Sequence, residues 1–309
     1  MGSTTSTSEF REDPPQQFCY RHPNRETNVA CSSCGKPICP DCMTPSPVGM
    51  RCPDCAGERT RVITAAQVGD QSAVAALWRE APLTTILIAI NLVAFIAELV
   101  SGYPLSPFPS NVQGDVLLHG VFFGPAIADG EWWRVITSGF LHFGLIHIGF
   151  NMYLLYVLGK MLEPEIGSVR YGIVYLSALL AGSLGSIILE PGTPSAGASG
   201  AIFGLMGLAI VIARARGLND AVKQIGVLIG INLLITFGYS GISKGAHLGG
   251  LLGGALAGVV LFELDERRHV FGRNKWAGTL IIALFAIGLF AANIVIARHQ
   301  YPAIAAGTV

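Results

Sequence analysis

Charge is scarce in this sequence. Only 13% of its 309 residues are Asp, Glu, Lys or Arg, where soluble domains carry roughly a quarter. An ordinary hydrated surface is therefore excluded for most of the chain. Neither sign is in excess, with 20 basic residues against 20 acidic ones. That excludes a basic nucleic-acid binder or an acidic tail as the dominant theme. Cysteine is absent after position 55. The start, Met1 to Pro15, is polar and Ser/Thr-rich, has no signal-peptide pattern and is expected to be disordered. What is abundant is apolar residues, at 51%, and glycine, at 38 residues. The charges are unevenly placed: residues 1–80 hold 17 of them and residues 81–309 only 23. The chain therefore reads as a small soluble module followed by a membrane region.

All seven cysteines lie in the module, six of them in three C-x-x-C pairs (Cys31/Cys34, Cys39/Cys42 and Cys52/Cys55). The seventh, Cys19, opens a C-x-x-H pair with His22. Eight ligands in four pairs suffice for two tetrahedral Zn²⁺ sites with no open position, which makes them structural rather than catalytic. A module of this size has too little apolar content for a core, so metal binding would supply its folding energy. An odd cysteine count and the partner histidine argue against a disulfide framework. The pattern resembles a B-box-type or related cross-brace zinc finger. Cross-brace pairing would group Cys19, His22, Cys39 and Cys42 on one ion and Cys31, Cys34, Cys52 and Cys55 on the other; sequential pairing is the alternative. Such a module usually binds a protein partner, here a cytoplasmic one, although a purely stabilising domain is also open. It lacks the basic, aromatic surface expected for nucleic acid.

Residues 59–80 read as a polar linker after a module over 16–58. Apolar stretches then recur at 83–100, 145–162, 169–189, 199–213, 222–238, 246–263 and 277–297. Several approach the roughly 20 residues of a membrane helix, and the shorter ones suit a packed bundle. Pro82 fits the first turn of the first. The stretch 101–134, with four prolines and several charges, reads as a long loop. Basic residues sort by side. Arg79, Lys160, Arg170, Arg214, Arg216, Lys223, Arg267, Arg268, Arg273 and Lys275 fall on one face, and Arg134, Lys244 and Arg298 on the other. This predicts a cytoplasmic N-terminus, seven spans and an outside C-terminus in the plasma membrane. The expected fold is an all-α multi-pass membrane protein with a six-helix core over 81–265. A cytoplasmic loop, a seventh helix and a short tail follow over 266–309.

Polar residues inside a bilayer are costly and so become functional candidates. His142, His147 and Asn151 fall at the start of the second span, Ser199 at the start of the fourth, and His247 at the start of the sixth. His147, Ser199 and His247 share one depth on three helices. His147 and Asn151, four apart, share a helix face. Ser199 lies at a helix N-terminus, where free backbone N–H groups favour an oxyanion. Gly245, Gly249 and Gly253 form one small-residue face of the sixth span, and Gly250, Gly254 and Gly258 a neighbouring one. If one of these meets Gly200 and Gly204, His247 can reach Ser199. Asn91, Asn232 and Asn293 read as interhelical hydrogen-bonders, and Glu98 as interfacial.

Over roughly residues 83–263 the chain resembles the rhomboid family of intramembrane serine proteases. The resemblance rests on Gly197-Ala198-Ser199-Gly200, Ala246-His247 with its glycine run, His147-Ile148-Gly149-Phe150-Asn151, Glu131-Trp132-Trp133-Arg134, and Glu163 with Gly167-Ser168. It implies a serine-type endopeptidase in which Ser199 is the nucleophile and His247 the general base. His147, Asn151 and the Gly197–Ser199 backbone would support the oxyanion. No catalytic cofactor is implied, and the substrates would be transmembrane proteins in the lipid bilayer. Phe203 is expected to pack against His247. The sequence contains no H-E-x-x-H motif and no intramembrane pair of Asp residues, which removes the other common chemistries of membrane proteolysis. The alternative is a non-proteolytic rhomboid-like adaptor that binds membrane clients; the presence of both Ser199 and His247 argues against it.

Overall fold

The computed structural model describes residues 17–46, 49–57, 73–107, 112–239, 241–262 and 276–302. The start at 1–15, most of the linker at 59–72 and the loop at 266–275, with its four basic residues, lie outside the described residues. The chain divides into two compact units, residues 1–70 and 71–309.

The first unit has little regular structure. A two-stranded antiparallel ribbon, β1 (Thr44–Ser46) and β2 (Gly49–Arg51), pairs Thr44 with Arg51, and a one-turn helix α1 (Pro53–Gly57) follows. Its buried core consists of Cys19, Cys31, Cys39, Cys42, Cys52 and a lone aliphatic side chain, Ile38.

The second unit is helical. It opens with α2 (Ala73–Glu80), a short helix in place of the last part of the expected polar linker; Ala73-Val74-Ala75-Ala76-Leu77-Trp78 is an apolar run, and Leu77 is buried. Then come α3 (Pro82–Val100), the short α4 (Asp115–Gly120), α5 (Gly124–Ala128) and α6 (Arg134–Thr137), and the long α7 (Leu145–Ile166), α8 (Ser168–Leu189), α9 (Ser199–Ala215), α10 (Asn219–Gly238), α11 (Lys244–Val260) and α12 (Ala277–Gln300). The seven apolar stretches coincide with α3, α7, α8, α9, α10, α11 and α12. Five of these (α3, α7, α8, α10 and α12) are long and apolar enough to cross a membrane, and α9 is a shorter apolar helix. The expected loop at 101–134 is partly helical. Arg134, 4% exposed, organises it: its guanidinium donates to Glu131 Oε2 at 2.6 Å and to the carbonyls of Leu118 and Val121 at 2.8 and 3.1 Å.

Of the five long apolar helices α8 is the most enclosed and α10 the most exposed. In lipid there is no water to squeeze out between helices, so close backbone approach is what joins them. The glycine faces of α11 supply it. A Cβ on Gly245 or Gly249 would stand 2.3 Å from the carbonyl oxygens of Gly185 and Ala181 on α8. On Gly250 or Gly254 it would stand 1.9 and 2.0 Å from the carbonyl oxygens of Gly200 and Gly204 on α9. One face of α11 thus seats on α8 and the other on α9.

Several buried polar side chains in this unit have named hydrogen-bond partners. Glu163 accepts from Leu83 N–H, Thr84 N–H, the Thr84 hydroxyl and the Ser168 hydroxyl at 2.6–2.8 Å, which holds the N-terminus of α3 to the α7–α8 turn. Asn293 bonds across to Leu180 O on α8. Asn91 and Asn232 each donate to the carbonyl four residues back in their own helix; Asn91 also lies beside the Tyr175 hydroxyl on α8. Glu98 is fully buried rather than interfacial, and accepts the His142 backbone N–H at 3.0 Å.

Candidate active site and metal clusters

Ser199 opens α9 directly after the N-cap Ala198. The segment leading to it is pinned: Phe122 and Ser195 exchange backbone bonds at 2.9 and 3.0 Å, and Gly197 N–H donates to Ser138 O at 2.9 Å. The N-cap carbonyl of Ala198 accepts from Ile202, which leaves the N–H groups of Ser199, Gly200 and Ala201 without an intrahelical partner. Gly197 has φ +133, a backbone conformation that side-chain-bearing residues rarely adopt. A Cβ there would meet His147 Nε2 at 2.8 Å and Ser199 Oγ at 3.4 Å. The space that glycine leaves empty is therefore bounded by a hydroxyl and an imidazole nitrogen.

The orientation of His147 is set by Phe143, whose backbone N–H donates to Nδ1 at 3.2 Å. A backbone amide can only donate, so in the neutral ring the proton sits on Nε2, the nitrogen that borders Gly197. His147 thus presents a donor. Asn151, 4% exposed, donates one amide hydrogen to His147 O at 2.9 Å. His142 packs edge-on against His147 at 5.0 Å, fully buried.

His247 lies in the first turn of α11. The helix start is fixed by Ser243, whose hydroxyl accepts from Ala246 N–H and donates to Glu190 Oε2 at 2.5 Å. Glu190 also accepts from the N–H groups of Lys244 and Gly245, a carboxylate placed at the positive end of a helix. The His247 ring stacks on Phe203, four residues after Ser199, with centroids 4.2 Å apart and planes 19° from parallel. Its Nδ1 lies 2.6 Å from the hydroxyl of Thr236 on α10. Among the described residues no hydrogen bond joins Ser199 to His247; such contacts are commonly loose before substrate binds. The fold sets Ser199 and His147 on either side of Gly197, with Asn151 bonded behind His147, and stacks His247 on Phe203 of the helix that Ser199 opens. Sequence reasoning missed Thr236 and Glu190. A Thr in an apolar helix carries no distinguishing signal, and Glu190 had none beyond its place just after a span.

In the first unit the ligand atoms of Cys19, His22, Cys39 and Cys42 lie within 4.8 Å of one another, as do those of Cys31, Cys34, Cys52 and Cys55. This is the cross-brace grouping, not the sequential one. His22 offers Nδ1, at 3.3, 3.4 and 3.8 Å from the sulfurs of Cys39, Cys42 and Cys19, and the sulfurs of Cys34 and Cys52 are 3.7 Å apart. Ligands about 2.0–2.3 Å from a shared tetrahedral metal have edges of this length. Backbone N–H groups of Cys52 and Cys55 point at the sulfurs of Cys31 and Cys52, as suits thiolates held outward from a metal. The cysteines form no disulfides. Beside the second cluster, Asp54 accepts from the Tyr20 hydroxyl at 2.8 Å and pairs with Arg21 at 2.5 Å. The Tyr20 bond, with Arg21 and Lys36, holds its carboxyl below the ordinary range.

Residues 129–264 match the Rhomboid domain model. The chain is 34% identical over 224 residues to Rhomboid protease GluP of Bacillus subtilis, covering 72% of this chain and 42% of that one. It is 31% identical over 194 residues to YdcA of the same organism, provisionally named a rhomboid protease, covering 61% of this chain and 92% of that one. Rhomboid-type serine protease 2 of Emericella nidulans is 38% identical over 44% of this chain and 28% of its own length. On the match to YdcA along nearly its whole length, and on the domain match over 129–264, the chain belongs to the rhomboid family.

Proposed function

We propose that the protein is an intramembrane serine endopeptidase that cleaves transmembrane proteins in or near their membrane segments. The observation that carries this reading is the space in front of Gly197, bordered by Ser199 Oγ and by the donor nitrogen of His147, with His247 stacked on the helix that Ser199 opens. His247 Nε2 takes the Ser199 proton as Oγ attacks a substrate carbonyl carbon. His147 Nε2–H, Asn151 and the Ser199 backbone N–H hold the developing oxyanion. As the C–N bond breaks, His247 returns the proton to the leaving amine, which leaves an acyl-enzyme. Water, deprotonated by His247, hydrolyses the ester and restores the serine.

Seven spans are read from the apolar stretches, and the placement of basic residues favours a cytoplasmic N-terminus and an outside C-terminus; the plasma membrane is the proposed location. The two Cys/His clusters would each hold a Zn²⁺ that cross-links a unit with almost no aliphatic core. A B-box-like docking role towards a cytoplasmic protein suits a cytoplasmic N-terminus. The deciding experiment compares purified wild type with Ser199→Ala and His247→Ala on a reconstituted membrane-protein substrate. Each variant is expected to lose at least about 10⁴-fold in rate; undiminished cleavage by Ser199→Ala would refute the mechanism. Membrane proteomes of wild-type and Ser199→Ala cells would then name the substrates.

A further inference from the structure

The Thr236 hydroxyl touches two groups, and they have different chemistry. It lies 2.7 Å from the Asn232 carbonyl oxygen and 2.6 Å from His247 Nδ1. A threonine hydroxyl has one proton and two lone pairs. The carbonyl can only accept, so the proton must lie on the Asn232 side; otherwise two oxygens would face each other lone pair to lone pair. The imidazole nitrogen can play either part. The arrangement that satisfies both contacts has Thr236 donating to Asn232 O and accepting from His247 Nδ1–H.

We infer that Thr236 is the positioning residue for His247: it holds the ring in the Nδ1–H tautomer and leaves Nε2 bare to act as a base. This rests on the serine-protease reading for its catalytic consequence, though not for the tautomer itself. The two histidines are then held in opposite forms. His147 accepts at Nδ1 from a backbone amide and presents Nε2–H. His247 donates at Nδ1 and presents a lone pair. One supplies the donor that an oxyanion needs and the other the acceptor that a serine proton needs.

The placement of Thr236 supports a dedicated role. It is fully buried on α10, a largely exposed helix whose other buried side chain is Ile229. In a Ser-His-Asp triad an aspartate fixes the imidazole tautomer. Here a neutral hydroxyl would do so, and when Nε2 takes up the serine proton the bond from Nδ1–H becomes charge-assisted.

The test uses the full-length protein in detergent micelles with ¹⁵N-labelled histidine, the His247 signal being assigned by its loss in His247→Gln. Wild type is expected to show His247 protonated at Nδ1 and bare at Nε2. In Thr236→Val, which keeps the shape and removes the acceptor, that preference is expected to vanish. In the same variant kcat is expected to fall about tenfold to thirtyfold with KM little changed, the loss of one hydrogen bond to a group that becomes charged. Thr236→Ser is expected to recover most of the lost rate. A wild-type His247 carrying its proton on Nε2 would overturn the inference, whatever the Thr236 variants do. So would a Thr236→Val protein with unchanged ring signals and unchanged kcat. Absence of cleavage by wild type would count against the protease reading alone, since the nitrogen shifts report the tautomer independently.

Discussion

Replacing Gly250 with alanine asks whether close helix packing holds the site together. Gly250 lies one helical turn after His247, and a Cβ there would stand 1.9 Å from the carbonyl oxygen of Gly200, the residue next to Ser199. Both atoms belong to stiff helical backbone, so no side chain can swing aside. Restoring an ordinary contact requires α9 and α11 to part by about 1.5 Å one turn beyond His247, and a misplacement of even about 1 Å costs on the order of 100-fold in rate. The overpacking itself costs roughly 1–3 kcal/mol of stability. Gly226 and Gly230 on α10 are the controls, because a Cβ at either meets nothing within 4 Å. Alanine there is expected to leave kcat/KM within about twofold and thermal stability unchanged or slightly raised. The assay is kcat/KM on a transmembrane substrate in proteoliposomes, alongside a melting curve in detergent. A Gly250→Ala enzyme that is folded and cleaves at the wild-type rate would refute the claim that this contact sets the Ser199–His247 geometry.

Other expectations are simpler to read. Phe203→Ala removes the ring stacked on His247 at 4.2 Å and should lower kcat by roughly twofold to tenfold, measured on the same substrate with KM as the internal control. Glu163→Gln removes the charge that four donors share and should destabilise the second unit by about 2–4 kcal/mol, read as a lowered Tm in detergent. Elemental analysis of the full-length protein should find two zinc ions per chain. Cys31→Ser should reduce the count to one or fewer, and a strong chelator should make residues 17–57 sensitive to protease. Finding no zinc in protein purified without chelator would overturn the metal assignment.

Much of the second unit was legible because apolar runs report membrane helices directly. The stretch 169–189 became α8 (Ser168–Leu189), and 83–100 became α3 (Pro82–Val100). The two glycine faces of the sixth stretch were legible as well, since small residues four apart leave few reasons other than close contact. What eluded the sequence depends on partners distant along the chain. Glu98 reads as a charge at a helix end until the fold places it behind His142. Asn232 carries the same residue type as Asn293, and only the structure tells a side chain that folds back on its own helix from one that also crosses to another. Residues 101–134 looked like a loop because prolines and charges interrupt the pattern. Three backbone and side-chain acceptors around Arg134 nevertheless organise short helices there. In the first unit the spacing of the ligands gave their identity, while their grouping needed coordinates. Thr236 was invisible: a threonine that bonds to the carbonyl four residues back is ordinary in a membrane helix, and its second contact is to another helix.

The most direct measurement of the central claim is the site of covalent modification by a fluorophosphonate probe, located by mass spectrometry on the membrane-embedded wild-type protein. An activated serine attacks phosphorus, expels fluoride as the P–F bond breaks, and keeps the phosphonyl adduct. The expected result is a single adduct on Ser199 that is lost in Ser199→Ala and strongly reduced in His247→Ala. Absence of any adduct on a folded wild-type protein, or an adduct on a different serine that persists in Ser199→Ala, would contradict it.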